Sequence, residues 1–482
     1  MKTTNEILKE VLGSITKVDF KKSKTSTLDG KLAGELTSQE IDALRAGLST
    51  TPDEIAVIVA DEVKKVADTL GYGLMANEAE EVYIYDKDCW RLVPTTDFKH
   101  FLTDSYMAMG AEAKKANTPA CAQRLYAQAA YSYYRPIPKK RNKAMVNAAN
   151  LTVLLDSGPV QTKPHTPEDM FFYCLPYNYD PDAKAPLWNK FLSEVLPDQS
   201  VQTVLQEFYG VCLAPNLKVE KALVNLGTGS NGKSVAMEVM SHVLGEDNVC
   251  HYGINGLCDE RSTTRILLQN KLLNAATEFS GKIWDNGFFK QLVSGEPIEA
   301  RRLYQDPITM IDYARLEFNC NRMPQSRDSS DGFLRRLLIV EFGVKITPDK
   351  ADPDLSKKLK KEASGILNWC IEGLKRYIAN GQKFSKSDKI ADITSELMED
   401  LDSVSQFQSE KMLKPSKTKK RALSTLHSEY MKFCSDKGLE VDKKADFKRK
   451  LEDLGFTIKR ERDKEPYEVW CESALPSPFN PS

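Results

Sequence analysis

Apolar residues recur at helical spacing from Ser38 to Leu70, with Ile55, Ile58, Val59, Val63 and Val66 among them, so this stretch is predicted to be helical. The period then shortens. "EVYIYDKDCWRLVP" (81–94) predicts two short strands about an Asp-Lys-Asp turn. Helical spacing returns from Phe98 to about Tyr134, ahead of Pro136, Pro138 and the basic cluster "KKRNK" (139–143). Residues 145–180 are β-prone and rich in loops, and Trp188–Ala214 is predicted helical. From about Leu217 to Phe342, strand and helix patterns alternate, the signature of an α/β unit with a largely parallel sheet. "DLSKKLKKEASGILNWCIEGLKRYIANG" (354–381) is amphipathic and stops at Gly381, and Asp388–Met412 reads as further helix. "KPSKTKKR" (414–421) reads as an exposed linker. Beyond it, two helical patterns lead into short strands "FTIKR" and "YEVWCE", an order that suggests a winged-helix module. The first 35 or so residues are polar and read as a loosely ordered lead-in.

The 482 residues exceed what one hydrophobic core usually serves, so two to four domains are expected. A net charge of -1 means that any nucleic-acid contact has to come from local patches. The last compact unit offers one: from Lys411 to Lys464 there are 17 Lys/Arg against 9 Asp/Glu. The ten cysteines show no C-x-x-C pair and no His at zinc-ligand spacing, which points to reduced thiols. No apolar run approaches the roughly 18 residues of a membrane helix, and the amino terminus lacks a signal-peptide core. A soluble, cytoplasmic chain with no membrane partner is expected.

The chemistry concentrates in "KALVNLGTGSNGKSVAMEVM" (221–240). Gly227, Gly229 and Gly232 spell G-x-G-x-x-G, a dinucleotide fingerprint, while Gly227, Gly232, Lys233 and Ser234 spell G-x-x-x-x-G-K-S, a nucleoside-triphosphate P-loop. The dinucleotide reading needs an acid at the end of the second strand, and Asp247 falls in the turn before that strand can form. Lys233 and Ser234 would also have no role there. The P-loop reading gives each a task. Backbone N–H groups of Gly227, Thr228, Gly229, Ser230, Asn231 and Gly232 cradle phosphates, Lys233 meets the β- and γ-phosphates, and Ser234 ligates Mg²⁺. "KLLNAATEFS" (271–280) is a strand with Glu278 near its end, placed to orient an attacking water and act through Mg²⁺. "LEFNCNRMP" (316–324) is another, with Asn321 at its tip, and "FLRRLLIVEF" (333–342) opens a third with Arg335 and Arg336. Each has a structural alternative: Glu278 as a strand-end acid, Asn321 as a turn residue, the arginines as charged flanks of a buried strand. Asp86 and Asp88 pose a similar choice, between a catalytic metal pair and a solvated turn, and the turn reading is preferred.

Walker A at 227–234, Glu278, "FFKQLVSGEPIEARRLY" (288–304), "NCNRMP" and "GFLRRLLIVEF" follow in the order found in superfamily 3 helicases. The sequence resembles most closely the phage and plasmid primase-helicase branch that includes the poxvirus replication NTPase, over roughly residues 145–385. The resemblance implies an AAA+-like core and a hexameric ring with ATP between subunits. Lys233, Ser234, Glu278 and Asn321 would serve the site in cis. Arg336, with Arg335 as the alternative, corresponds to the arginine finger reaching a neighbour's site, and Lys290 to another basic position facing it. Arg301, Arg302 and Tyr304 match the hairpin that follows DNA inside the ring, with Tyr304 supplying base stacking. One position departs from the family: Thr277 precedes Glu278 where relatives carry two acids, so Ser234, phosphates and waters are left to hold much of the metal.

The expected layout is a mostly helical N-terminal region with a small hairpin (1–144), a helicase-associated β/α region (145–216), the P-loop core (217–345), a helical lid or linker (346–413) and a basic winged-helix-like DNA-binding unit with a tail (414–482). The expected function is an ATP-dependent DNA helicase of a phage, plasmid or mobile-element replication system, in the host cytoplasm, moving on single-stranded DNA. Duplex or forked DNA and primase or replisome proteins are expected partners. An origin-binding initiator is the second reading, and a small-molecule P-loop kinase the third. The residues before the matched region predict no primer synthesis.

Overall fold

The computed structural model describes residues 2–20, 50–137, 144–155, 158–277, 287–303, 307–321, 334–349, 351–439, 441–460 and 466–473, with backbone alone at 398–401. The chain divides into two compact units, Met1–Tyr179 and Asp180–Ser482.

In the first unit, helices α1 (Thr4–Ser14), α2 (Pro52–Thr69), α3 (Thr95–Ala108), α4 (Ala113–Ala116) and α5 (Pro119–Ser132) accompany strands β1 (Gly73–Ala76), β2 (Val82–Tyr85) and β3 (Trp90–Leu92). A second sheet holds β4 (Ala144–Asn147), β5 (Thr152–Leu155) and β6 (Gln161–Lys163). Helix α2 starts where Thr51 and Glu54 cap each other's backbone N–H groups. The part of the predicted helix before Thr50 lies outside the described residues. The predicted hairpin is present, and β1, which the sequence pattern did not signal, adds a third antiparallel strand on β2. Strand β2 is buried on both faces. Val82 and Ile84 join Val59 and Phe98, whereas Tyr83 and Tyr85 join Trp90 and Met170. Asp86 is committed to the turn: its Oδ1 accepts from the N–H groups of Asp88 (3.0 Å) and Cys89 (2.8 Å), and its other oxygen pairs with Arg91. Asp88 faces His165 at 3.3 Å. Asp86 thus serves the turn and pairs with Arg91, and Asp88 lies beside the His165 ring.

The second unit opens with α6 (Pro186–Val195) and α7 (Gln199–Cys212) and then builds a five-stranded sheet. Its strands are β7 (Ala222–Leu226), β8 (Val249–Cys250), β9 (Leu273–Ala276), β12 (Arg315–Cys320) and β13 (Leu337–Glu341). They lie in the order β13-β7-β12-β9-β8, every pair parallel, as the alternating pattern predicts. Helices α8 (Lys233–Leu244), α9 (Ile254–Cys258) and α10 (Gly287–Ser294) and the antiparallel pair β10 (Ile298–Ala300) and β11 (Ile308–Met310) fill the connections. One face of the sheet presents Val224, Phe318 and Ile339 to a core shared with Leu257, Phe289 and Leu292. The strand period of two turns Leu223, Asn225, Glu317 and Asn319 to the other face.

Helices α11 (Leu355–Lys360), α12 (Ala363–Ala379), α13 (Asp388–Leu401) and α14 (Ser403–Glu410) follow. The chain ends with β14 (Leu413–Ala422), α15 (Leu423–Lys437), α16 (Lys444–Asp453), β15 (Thr457–Lys459) and β16 (Glu468–Ser473). The lysine-rich stretch read as a linker is strand β14, paired antiparallel with β16 and bulged between Pro415 and Lys420. Its sequence hid this because it is an edge strand: Leu413 is buried, the lysines face water, and the ladder to β16 supplies the order. Phe407, Tyr430, Phe447 and Val469 form the core beneath it.

Candidate nucleotide-binding site

Strand β7 ends at Leu226, and the next six residues turn sharply before α8. Four of them carry positive φ: Gly227 (156°), Gly229 (104°), Ser230 (51°) and Gly232 (88°). A run of such residues curls the backbone into a nest whose N–H groups converge on an anion. Two glycines are required by space as well. A Cβ on Gly227 would sit 2.6 Å from the Phe342 carbonyl, and one on Gly232 would sit 2.9 Å from Val195 Cγ1. The loop is tied to its surroundings. Gly227 N–H donates to the Cys320 carbonyl (3.1 Å), Asn231 Nδ2 to the Phe342 carbonyl (2.9 Å), and Ile346 N–H to the Ser230 carbonyl (2.7 Å).

Lys233 opens α8, buried, and its ammonium donates back to the Gly227 carbonyl (2.5 Å) and Asn231 Oδ1 (3.0 Å). Burial holds its pKa below the ordinary lysine value. A polyphosphate beside it would oppose that shift by favouring the charged form. The loop borders a cavity of about 1380 Å³. Ser234, Thr277, Asn319, Cys320 and Asn321 line its polar side, and Leu187, Phe191, Val195, Ile346 and Pro348 give it an apolar wall. The phosphate cradle and apolar wall suit a nucleoside triphosphate. Among the described residues no group of three or more His, Cys, Asp or Glu could hold a metal. Ser234 is in place beside the loop, and Glu278 lies outside the described residues.

The arginines are elsewhere. In the parallel register of β13 and β7, Leu337 stands opposite Ala222, and Ala222 N–H donates to the Arg336 carbonyl (2.9 Å). Arg335 and Arg336 therefore flank the beginning of β7, while the P-loop follows its end, roughly 15 Å away at the usual rise per residue. Arg336 Nε donates to Ser294 Oγ (3.2 Å), and Lys290 stands one turn earlier on the same helix face as Ser294. Lys221, which the sequence reading passed over, donates to the Arg335 carbonyl. Burial, and then the Arg335 guanidinium, push its pKa down. The fold thus gathers Lys221, Lys290, Arg335 and Arg336 at one edge of the sheet and the P-loop, Thr277 and Asn321 at the other.

Arg301 and Arg302 follow β10 in the β10–β11 turn, beside Leu303, which is 65% exposed; Tyr304 lies outside the described residues. Buried Arg265 braces the hairpin. Its guanidinium donates to the carbonyls of Glu299 (2.8 Å), Leu257 (2.9 Å) and Asp259 (2.6 Å) and lies 3.9 Å over the Phe288 ring. Sequence reasoning also missed Asn225, Glu317 and Asn319. Amides alternating in "NCN" were the available signal, since strand period puts Asn319 and Asn321 on one face.

Two family models match the chain: "D5 N terminal like" over residues 74–197, and a family of unknown function, DUF5906, over residues 226–336. The chain is 30% identical over 207 residues to the protein named "Putative helicase L207/L206" of Acanthamoeba polyphaga mimivirus, a match covering 41% of this chain and 21% of that one. The chain thus spans about a fifth of that relative's length. It is also similar to the apo structure of the NrS-1 C terminal region, at 12% identity and a TM-score of 0.46, over 88% of this chain and 99% of that one. The A form of the same region gives 13% identity and 0.44, over 84% and 98%. Among the described residues no helix is long and apolar enough to cross a membrane.

Proposed function

We propose that this chain is an ATP-dependent DNA helicase of a mobile element's replication system, with a superfamily 3, AAA+-like core working as a ring. One observation carries the reading: a complete phosphate cradle at one edge of the sheet, and a cluster of arginines and lysines at the other that cannot reach it. Two half-sites on one subunit are useful when copies stand head to tail, each lending its basic edge to the next cradle. Closure with six subunits is the proposed arrangement. The strand order β13-β7-β12-β9-β8, with the P-loop strand second, supports the AAA+-like assignment.

In this reading the P-loop amides and Lys233 bind the phosphates, and Asn321 bonds the terminal phosphate or the water. Ser234, with Glu278, would hold Mg²⁺, which neutralises charge on the β- and γ-phosphates. Glu278 orients the water, and Arg336 of the neighbouring copy offsets charge in the transition state, with Arg335 as the alternative. Arg301, Arg302 and Tyr304 follow single-stranded DNA. The helicase name of the mimivirus relative agrees with this assignment.

The test mixes two inactive variants. Lys233→Ala and Arg336→Ala should each abolish DNA-stimulated ATP turnover, and mixed rings should recover part of it because different chains donate the two groups. Absence of recovery in proven co-assemblies would sink the shared site. A second reading, an origin-binding initiator, draws on the C-terminal unit. Its order of helix, strand, two helices and two strands fits a winged helix, and Lys448 of α16 and Arg460, just after β15, both lie over the Tyr467 ring at 4.1 Å. Sequence-specific duplex binding without unwinding would favour it.

A further inference from the structure

Glu317, Asn319 and Asn321 occupy alternate positions along and just beyond β12, so all three turn to the face carrying α7 and α8. Glu317 is fully buried. Its Oε1 accepts from the Tyr209 hydroxyl of α7 (2.8 Å) and from Asn225 Nδ2 of β7 (2.7 Å). Asn225 stands opposite Asn319 in the sheet register, and its Nδ2 also donates to Asn319 Oδ1 (3.0 Å). With its oxygen engaged, the Asn319 amide is oriented: its Nδ2 turns to Met237 Sδ of α8 (3.6 Å), and the residue lines the cavity with Lys233, Thr277 and Asn321.

Packing alone does not account for this arrangement. A carboxyl group in mid-strand is costly to bury, and Glu317 Oε2 and Asn225 Oδ1 are buried without a hydrogen-bond partner. Such networks persist where fixing one geometry outweighs the cost. The geometry fixed here is that of an amide two residues before Asn321.

We infer that Asn319 is a second amide of the nucleotide site, presenting the Nδ2 hydrogen not given to Met237 to the terminal phosphate or its attacking water, and that Asn225 and Glu317 are positioning residues that hold it there. The inference rests on reading the cavity as a triphosphate site. Donors aimed at charge that develops in the transition state act on kcat more than on binding.

The experiment uses full-length variants, with ATP turnover and affinity for a fluorescent ATP analogue read side by side. Asn319→Ala should lower kcat at least about tenfold, with KM and analogue affinity within about twofold of wild type. Glu317→Leu should lower kcat similarly, and the double variant should lose no more than either single. Glu317→Gln retains the Oε1 acceptor and should restore wild-type kcat. Unchanged kcat in Asn319→Ala, or losses that multiply in the double variant, would overturn the assignment. If Glu317→Leu does not fold, the kcat-to-affinity split of Asn319→Ala decides alone. Lys233→Ala separates the two levels. If wild type is as inert as Lys233→Ala, the triphosphate reading falls and the inference with it; if only Asn319→Ala behaves as wild type, the inference falls alone.

Discussion

Where β7 and β12 end, the sheet offers backbone N–H groups, one buried lysine and neutral amides: Lys233, Asn319 and Asn321 around a nest of positive-φ residues. Where β7 and β13 begin, it offers Arg335, Arg336 and Lys221, with Lys290 nearby on α10. The first edge borders the cavity and is tied by hydrogen bonds to Cys320, Phe342 and Ile346. The second presents long cationic side chains, and Arg335 is exposed. An N–H cradle binds phosphate already in place, whereas long cationic side chains can reach charge brought from outside. In the proposed reading, the difference teaches how one chain can carry two halves of a nucleotide site that meet only between copies.

The strongest way to break this comparison is Arg336→Ala. If the basic edge serves a neighbour's transition state, kcat should fall about 10³-fold or more, while affinity for a nonhydrolysable ATP analogue stays near wild type. Arg335→Ala measured alongside should cost much less; the reverse order would move the finger by one residue. Loss of analogue affinity in Arg336→Ala would place the arginine in ground-state binding instead.

Glu317 lies between the two edges and offers the next largest effect. Burial raises its carboxyl pKa from 4.5 to about 7, against the hydrogen bonds from Tyr209 and Asn225 that lower it. A raised pKa means that the native protein binds this proton more tightly than the unfolded chain. Its stabilisation is present below pH 4.5 and is lost as pH rises through about 7. Wild type should therefore lose up to about 3 kcal/mol relative to Glu317→Gln between pH 5 and pH 8. Denaturant unfolding of both proteins at the two pH values checks this; parallel pH dependences would refute the buried-proton account.

Gly227→Ala sharpens the description of the cradle edge. The new Cβ would meet the Phe342 carbonyl at 2.6 Å. A cost of about 1–3 kcal/mol is expected in thermal unfolding, together with lost nucleotide binding, and with the Arg336 edge left able to complement Arg336→Ala in mixed assemblies. Arg302→Ala should have the smallest effect. Losing one phosphate contact should flatten the salt dependence of single-stranded DNA binding by about 0.7 in log–log slope, with ATP turnover in the absence of DNA unchanged. A change in that basal turnover would tie the hairpin to the nucleotide site.

Much of this molecule was legible along the chain. Strand β7 spans the five residues "ALVNL", and α8 runs from Lys233 to just before Gly245, because a buried parallel strand is a short apolar run and a P-loop helix starts at its lysine. The Asp86 turn was legible because its chemistry is local: one carboxylate satisfies two successive N–H groups. Strand β14 was not, since an edge strand of lysines has the composition of a linker and differs from one only in its partner. Lys221 and Glu317 were missed for a related reason. Nothing in a single strand says which charged residue will lie beside an arginine or be buried against a tyrosine far away in the chain.

By itself, then, the sequence determined the P-loop, the strand–helix alternation around it and the kinds of side chain available, all properties encoded within a few neighbouring residues. Only the tertiary structure decided that the cradle and the arginines stand at opposite edges of one sheet, and that Asn225, Glu317 and Asn319 form one network. Both outcomes depend on strand order and register, which pair residues about a hundred positions apart; periodicity read along one segment carries no record of its partner.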